Sequence, residues 1–577
     1  MDCKEAIYSQ DTADYFIQRF GRLEMIQERY GFDCILPLNN EYTVAFAKLG
    51  LHSGDMEFPS AYTAAPRCYG MMEEPGSTFA TEGSSAPTLE AMGVSRLRRM
   101  PYLDLLGSGV LIGFVDSGID YTHPAFRNAD GSSRIYAIWD QTEQNGTPPE
   151  GFAYGAEYSR TQLTQALMAQ DPYSVVPERD IEGHGTYAAG LAAGNIVRDT
   201  GFSGVAPLAE ILMVKLKPAK QYLRELYLIP EDAVCYQETD LAWGVEYLVR
   251  TAQRIGRPLV ICMTLGTNSG GHDGAGILDR MLDGYASRYN ICVVTATGNE
   301  AGYSLHYHSE QVAGEYEQVE LKVGEREPGF TMELWASLLS QYSVAVISPT
   351  GELISRIPSR RNNSQIIRFL FENTRLYVDY FSAGNRTGNQ LVLMRLRQPT
   401  EGIWRFLIYR DTVVDNGFDI WLPLRQFVQE DTYFLRPDPD ITITDPGNTE
   451  APITVASYRV ADKSIYLHSG RGFTRTNRYK PDVAAPGVDI YGPMAGGGYR
   501  FANGGAAAAA LTAGGCALVL EWAVGGDRQP QIRSQEIKRL LQGGAERTGI
   551  EVPSREWGYG RVDFYGAFEE LRTVANI

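Results

Sequence analysis

The sequence predicts an α/β protein built on a mostly parallel sheet with helices on both faces, interrupted by an all-β insertion. Three observations carry that prediction. Near-continuous apolar runs such as VLIGFVDSG (110–118) suit strands buried on both faces. They alternate with amphipathic helical patterns over roughly 200 residues, the texture of a parallel sheet with crossover helices. Between about 312 and 437, short aromatic-rich alternating runs replace both textures and sustain no helical period, which reads as a β-sandwich.

Taken in order, residues 1 to about 95 mix short helical and strand patterns, then run into EEPGSTFATEGSSAPTLEAMG, a linker or exposed loop by composition. The opening MDCKEAIYSQDTADYF has neither a basic n-region nor an apolar core, so no secretory signal is expected. From Gly109 the α/β texture begins. ETDLAWGVEYLVRTAQRIG carries Leu241, Val245, Leu248 and Ala252 at helical spacing, and PLVICMTLG and ICVVTATGNE follow as buried strands. In the insertion, VELKV, TMELWA, YSVAVIS, IIRFLF, RLYVDYF, QLVLMRL and GIWRFLIYR are the predicted strands. The α/β texture returns with ITVASY and KPDVAAPGVDIYGP, and ends in an Ala-rich helix and the helical pattern SQEIKRLLQGGA.

A length of 577 residues implies three or four domains at about 150 residues each. With 52 basic and 70 acidic residues the net charge is −18, which argues against binding nucleic acid or anionic membranes through a basic surface. The seven cysteines are scattered from Cys3 to Cys516 without zinc or redox spacing, so reduced thiols in a reducing compartment are expected. The longest weakly polar run, Gly504 to Leu520, is closed by Glu521 and reads as too short to span a bilayer.

Three segments carry chemistry. Asp116 ends the first α/β strand, where ligands and catalytic groups collect, although Asp-Ser-Gly is also an ordinary turn. His184 lies in GHGTYAAGLAAG, where small residues allow a helix to pack tightly under a site; a helix-capping His is the bland alternative. Asn299 follows a buried strand in VVTATGNE and could donate to an oxyanion, or simply serve a turn.

In this chain order the three motifs resemble the subtilisin-like serine proteases, the subtilases, whose triad runs Asp, His, Ser. MTLG is similar to that family's substrate-binding strand, which makes Leu265 and Gly266 substrate-binding residues by resemblance. KPDVAAPGVDI and WGYGRVDFYGA are similar to its segments before the nucleophile and near the C-terminus, and the likeness covers about 96–310 and 438–577. The nucleophile motif departs. Anchoring on Thr512, Ala513 and Gly514 places Gly505 at the family's Thr and Ala506 at its Ser, and no Ser lies between Gly470 and Arg533. A methyl group cannot attack a carbonyl, and in subtilisin losing this Ser costs on the order of 10⁶ in turnover. Natural loss and an introduced Ser→Ala change both explain Ala506. Two adjacent departures favour natural loss, while the intact Asp116 and His184 point the other way.

The insertion, together with GFVDSGIDYTHPAF, GTNSGGHDG and TITDPGNTEAPITVASY, is similar to the Csp subtilases of clostridial spore germination. That resemblance implies a prodomain (1–95), a subtilase domain in two parts (96–311 and 438–577) and an inserted jelly roll (312–437). It implies a pseudoprotease regulating germination, with the prodomain retained in cis. The partners implied are another Csp protease, a cortex-lytic zymogen or a small germinant. The compartment implied is the spore, after synthesis in the cytoplasm of a spore-forming cell. An active protease that cleaves such a zymogen, and a non-catalytic peptide-binding scaffold, are the alternatives. Activity would show as a self-made nick near residues 80–97. No cofactor or metal is assigned: His306 and His308 have the i, i+2 spacing of paired ligands but no third ligand nearby. Asp120 and His123 read as loop-stabilising residues, and Pro358 to Ser364 as a solvated basic loop.

Overall fold

The computed structural model describes all residues except 1, 20, 50–63, 77–82, 101–102, 338, 360–363, 384–387, 527 and 575–577. Continuous runs of branched apolar residues need cover on both faces, and a central eight-stranded sheet meets that need. Its strands are β1 (Leu111–Asp116), β2 (Ile135–Asp140), β3 (Ala156–Ser159), β4 (Glu210–Lys215), β5 (Leu259–Met263), β6 (Ile291–Ala296), β7 (Ile453–Arg459) and β8 (Val483–Val488). Their order across the sheet is β8-β7-β6-β5-β1-β4-β2-β3. All pairs are parallel except β2 with β3. Because β1 lies between β5 and β4, connections leave it in both directions and a crevice opens beyond its carboxyl end, where Asp116 stands.

Helices cover both faces, as the sequence predicts. On one face, α1 (His184–Ala193) and α4 (Gly505–Leu520) share a core with Ile112, Phe114, Val260, Val294 and Val455. On the other, α2 (Glu238–Ile255) and α3 (Ile277–Ala286) pack on Leu111, Val115, Ile261 and Val293. Every residue of α4 is buried, because alanines let a helix pass through the middle of the molecule with little side-chain entropy to lose. The sequence reading stops this segment at Glu521, and here it needs correcting. Helical structure continues to Gly525, and by length and composition Gly505–Gly525 could span a bilayer, yet 83% of its apolar 18-residue stretch is buried inside the protein. The Glu521 carboxylate is accommodated by accepting from the Leu106 and Gly107 amides at 2.8 and 2.6 Å, so its charge does not end the helix.

The N-terminal segment forms a small antiparallel sheet of Thr12–Gln18, Tyr42–Lys48 and Cys34–Pro37, with Tyr42–Lys48 central. Phe16, Val44 and Phe46 from it join the core around α2 and α3. A buried Lys220 ammonium ties the two bodies together by donating to Asp14 Oδ1 (2.5 Å) and Thr12 Oγ1 (2.9 Å). Helix Cys3–Tyr8 packs beside strand Cys34–Pro37, and Cys3 and Cys34 form a disulfide with Cα atoms 5.6 Å apart. The expectation of seven reduced thiols is therefore corrected for this pair: tertiary packing joins residues too far apart in sequence for spacing to reveal them. Cys68, Cys235, Cys262, Cys292 and Cys516 are free and buried. Helices Ala86–Ala91 and Val94–Arg98 pack into the α/β core through Leu89, Met92, Val94 and Leu97, so most of the stretch read as the end of the N-terminal unit belongs to the α/β body by packing.

The insertion is all-β. A six-stranded antiparallel sheet runs His306–Ser309, Phe418–Trp421, Gly329–Ala336, Asn389–Arg397, Arg375–Ala383, Ser364–Arg368. A five-stranded sheet runs Leu353–Ile357, Tyr342–Ile347, Gly402–Arg410, Tyr316–Val323, Tyr433–Phe434. A separate core, with Val319, Phe330, Leu334, Tyr342, Trp404 and Phe406 among its members, lies between them. The seven strands read from sequence are all present. Four short ones, His306–Ser309, Leu353–Ile357, Phe418–Trp421 and Tyr433–Phe434, lack the alternation that marks the others. The first of them begins the insertion six residues before position 312.

Candidate active-site cleft

Asp116 pairs with His184 at the carboxyl end of β1, Asn299 pairs with the head of α4 at Gly505, and Thr264 and Met72 link the two through Ala506 N. Gly183 turns with φ 76°, in the left-handed region glycine favours, and lets His184 open α1. The next residue must also be small: a Cβ on Gly185 would run into the Gly118 carbonyl and approach Asp116 Cβ to 3.2 Å. That close approach brings His184 Nδ1 to 2.7 Å from Asp116 Oδ1. The other Asp116 oxygen accepts from the Thr264 hydroxyl, and the Ser117 amide donates to Oδ1 at 2.6 Å. Asp180 braces the turn by accepting from Ser117 Oγ (2.8 Å), Gly183 N (2.9 Å) and Thr186 N (2.8 Å).

Asp116 and His184 are buried. Burial alone would raise the Asp116 carboxyl, but the His184 charge and hydrogen bond, with Thr264 and Ser117, hold it below the usual range. Burial likewise pushes His184 down, yet Asp116, then Glu73 and Asp180, outweigh it and raise the imidazole to about 9. At neutral pH His184 is thus an imidazolium. Its Nε2 is buried and has no hydrogen-bond partner. In an active triad that nitrogen takes the nucleophile's proton, and residue 506, which stands at the family's Ser position by sequence, is an alanine with no hydroxyl.

Ala506 is fully buried at the start of α4. Asn299, also buried, accepts from the Gly505 amide through Oδ1 at 2.9 Å, which leaves Nδ2 as its donor. A Cβ on Gly505 would lie 2.9 Å from Ala296 Cβ, closer than real Cβ contacts. The backbone at 505 has no room for the Thr side chain of the family pattern.

The cleft is filled by the chain itself. Strand Cys68–Met71 lies between Tyr236–Gln237 and Leu265–Gly266, pairing antiparallel with both. Leu265 and Gly266 therefore do bind an extended segment, and it is an internal one. Met72 N donates to Thr264 O at 3.3 Å, and Ala506 N donates to Met72 O at 3.0 Å. A scissile carbonyl in an oxyanion hole is held by this same donor. Beyond it the Glu73 side chain forms an ion pair with Arg500. Both Tyr303 and Tyr466 donate their hydroxyls to the Glu74 carboxylate, and Glu74–Pro75 pairs with Ala502–Asn503. Burial pushes the Glu73 carboxyl up, partly offset by His184 and Arg500, and its Oε2 has no hydrogen-bond partner. The bond that the geometry presents to position 506 is Met72–Glu73. Of the window 80–97, residues 80–82 lie outside the described residues, and α-helical 86–91 and 94–97 are packed in the α/β core.

Sequence reasoning missed Thr264, although it stands within MTLG, and it missed Met72 and Glu73 because EEPG reads as a loop. Asp120 and His123 act as expected on the loop: Asp120 Oδ2 accepts from Gly496 N at 2.9 Å, and His123 Nε2 lies 2.9 Å from Gly498 O. His306 and His308 share one carboxylate oxygen, Asp419 Oδ1, at 3.1 and 2.7 Å. In Pro358 to Ser364, residues 360–363 lie outside the described residues.

A parallel sheet with an Asp–His pair at its switch point and an Asn beside the head of a buried helix is the arrangement of a subtilisin-type site. The chain belongs to the subtilase family, whose profile matches residues 107–319 and 360–560. Among solved structures it is similar to the CspB protease of Clostridium perfringens, with a TM-score of 0.75 and 30% identity, covering 84% of this chain and 99% of that one. Its fold is that of a CspB-type subtilase. The C5a peptidase of Streptococcus pyogenes serotype M18 is 22% identical over 537 residues, 85% of this chain and 43% of that protein. Subtilisin-like protease SBT2.2 of Arabidopsis thaliana is 32% identical over 126 residues, 19% of this chain and 15% of that protein. The chain spans less than half the length of these curated relatives.

Proposed function

We propose that this chain is a catalytically silent CspB-type subtilase that regulates bacterial spore germination through binding, with its N-terminal segment kept as an uncut prodomain. The observation that carries the reading is Ala506: the Asp116–His184 pair is formed and its Nε2 has no partner, while residue 506 carries a methyl group and not a hydroxyl. The crowding at Gly505 supports natural loss over a single Ser→Ala change, because both adjacent positions have departed from the family pattern. A free peptide-binding cleft is disfavoured, since the edges that would accept a peptide strand already pair with Cys68–Met71. Regulation then runs through other surfaces, toward a partner Csp protease, a cortex-lytic zymogen or a small germinant, in the spore.

The test is reconstitution. A purified active Csp protease and its lytic zymogen are mixed with and without this chain, and zymogen conversion is timed. A dose-dependent change in conversion rate, with no conversion by this chain alone, is expected. Conversion by this chain alone, or no effect on the partner at any dose, overturns the reading.

A further inference from the structure

The strand that fills the cleft, Cys68–Met71, is held by only two residue pairs on each side, with Tyr236–Gln237 on one and Leu265–Gly266 on the other. Its first residue, Cys68, lies opposite Gln237, and Cys235 immediately precedes that partner strand. Residues two apart along an extended chain point to the same face, so the Cys68 and Cys235 side chains are diagonal neighbours. Both are buried, 3% and 1% exposed, in one small core with Leu223, Leu424 and Phe427.

The two thiols differ in surroundings. Arg224 Nη1 donates to Cys235 Sγ at 3.2 Å, and the same guanidinium is fixed by the Pro230 and Ala233 carbonyls, at 2.6 and 2.7 Å. Arg224 forms no ion pair among the described residues, so its charge falls on that sulfur. Interaction with the Cys68 thiol, and then the Arg224 charge, hold Cys235 below the usual thiol range against the effect of burial. Burial first, and then Cys235, push Cys68 up. A thiol that ionises readily beside one that stays protonated is the chemistry of an attacking and a resolving cysteine. Cys68 also borders a hollow of about 330 Å³, counting the part open to solvent, which gives a small oxidant a way in. Cys292 and Cys516 are a second neighbouring pair, but no cation acts on Cys516 and both are 0% exposed.

We propose that Cys68 and Cys235 form a redox clasp: hydrogen peroxide converts the two thiols to a disulfide that fastens the cleft-filling strand to the α/β body. The Cys235 thiolate attacks one peroxide oxygen, so that an S–O bond forms, the O–O bond breaks and hydroxide leaves. The Cys68 sulfur then attacks the Cys235 sulfur. The S–S bond forms as the S–O bond breaks, and the departing hydroxide takes the Cys68 proton as water. The thiol pair gives up two electrons and two protons, and the peroxide becomes two water molecules. Unbridged, the strand rests on its short ladders and side-chain contacts; bridged, it cannot leave the edge formed by Tyr236–Gln237. The clasp acts on the segment in the cleft and holds whether or not the chain acts in germination.

The test uses the full chain without reductant, treated with a small excess of hydrogen peroxide, stopped with catalase and read by intact mass and peptide mapping. Loss of two hydrogens, one new cross-link joining Cys68 to Cys235, and a fall from five reactive thiols in denaturant to three are expected. Cys68→Ser should instead gain one oxygen, as a Cys235 sulfenic acid that dimedone captures. Should that variant fail to fold, Cys235→Ser, in which neither position should react, serves the same comparison. In the bridged protein, amide hydrogen exchange at residues 69–74 should slow by more than about tenfold, while strand Gly402–Arg410 exchanges as before. Five thiols still reactive after peroxide, or a Cys292–Cys516 bridge formed first, overturn the proposal. A Cys68–Cys235 bridge that leaves exchange at 69–74 unaltered overturns its role as a clasp.

Discussion

Ala506→Ser returns a hydroxyl to the family's nucleophile position and leaves every other observed contact of the cleft in place. The Met72 carbonyl is already held by the residue 506 amide at 3.0 Å, so the variant is expected to cut its own Met72–Glu73 bond. Its rate is limited by the base. With His184 raised to about 9, roughly 1% of the imidazole is neutral at pH 7 and about half at pH 9, so cutting is roughly 50-fold slower at pH 7. The same raised value means that the stability His184 draws from its carboxylate neighbours is complete below about pH 6.5 and lost as pH rises through about 9. Intact mass against time at several pH values reads the result. Scaling 63.9 kDa by 72/577 and 505/577 gives fragments of about 8 and 56 kDa. Adding His184→Ala must abolish the cut. A rate at pH 7 equal to that at pH 9 would refute the imidazolium assignment, and cutting at another bond would refute the placement of Met72–Glu73.

Glu73→Gln removes a charge that raises His184, so the imidazole should titrate below 9 and the Ala506→Ser profile should shift toward neutral pH; ring resonances that titrate unchanged would contradict this. Gly505→Thr should lower the melting temperature through overpacking against Ala296, at a cost of about 1–3 kcal/mol. An unaltered melting temperature would show that the turn yields. In denaturant without reductant, five thiols should react, and seven after reduction; seven in both conditions would remove the Cys3–Cys34 bond.

The pairing of Asp116 with His184 and the place of Asn299 beside the head of α4 were legible in the sequence because each lies in a contiguous motif whose small flanking residues record close packing. The parallel sheet was legible because strands buried on both faces must be almost uniformly apolar. What fills the cleft was not. Strand Cys68–Met71 owes its conformation to partners at 236–237 and 265–266, and the following EEPG carries Pro and Gly that locally spell a loop. Long-range pairing also hid the Cys3–Cys34 bond, and two backbone amides from residues 106 and 107 let the Ala-rich helix α4 run past a charge that sequence alone reads as its end.

The most direct measurement on the central claim is the intact mass of the unaltered protein after prolonged incubation at pH 9, combined with exposure to a serine-directed fluorophosphonate. A single unlabelled 63.9 kDa chain is expected. Labelling, or paired fragments ending at Met72 and beginning at Glu73, would contradict it.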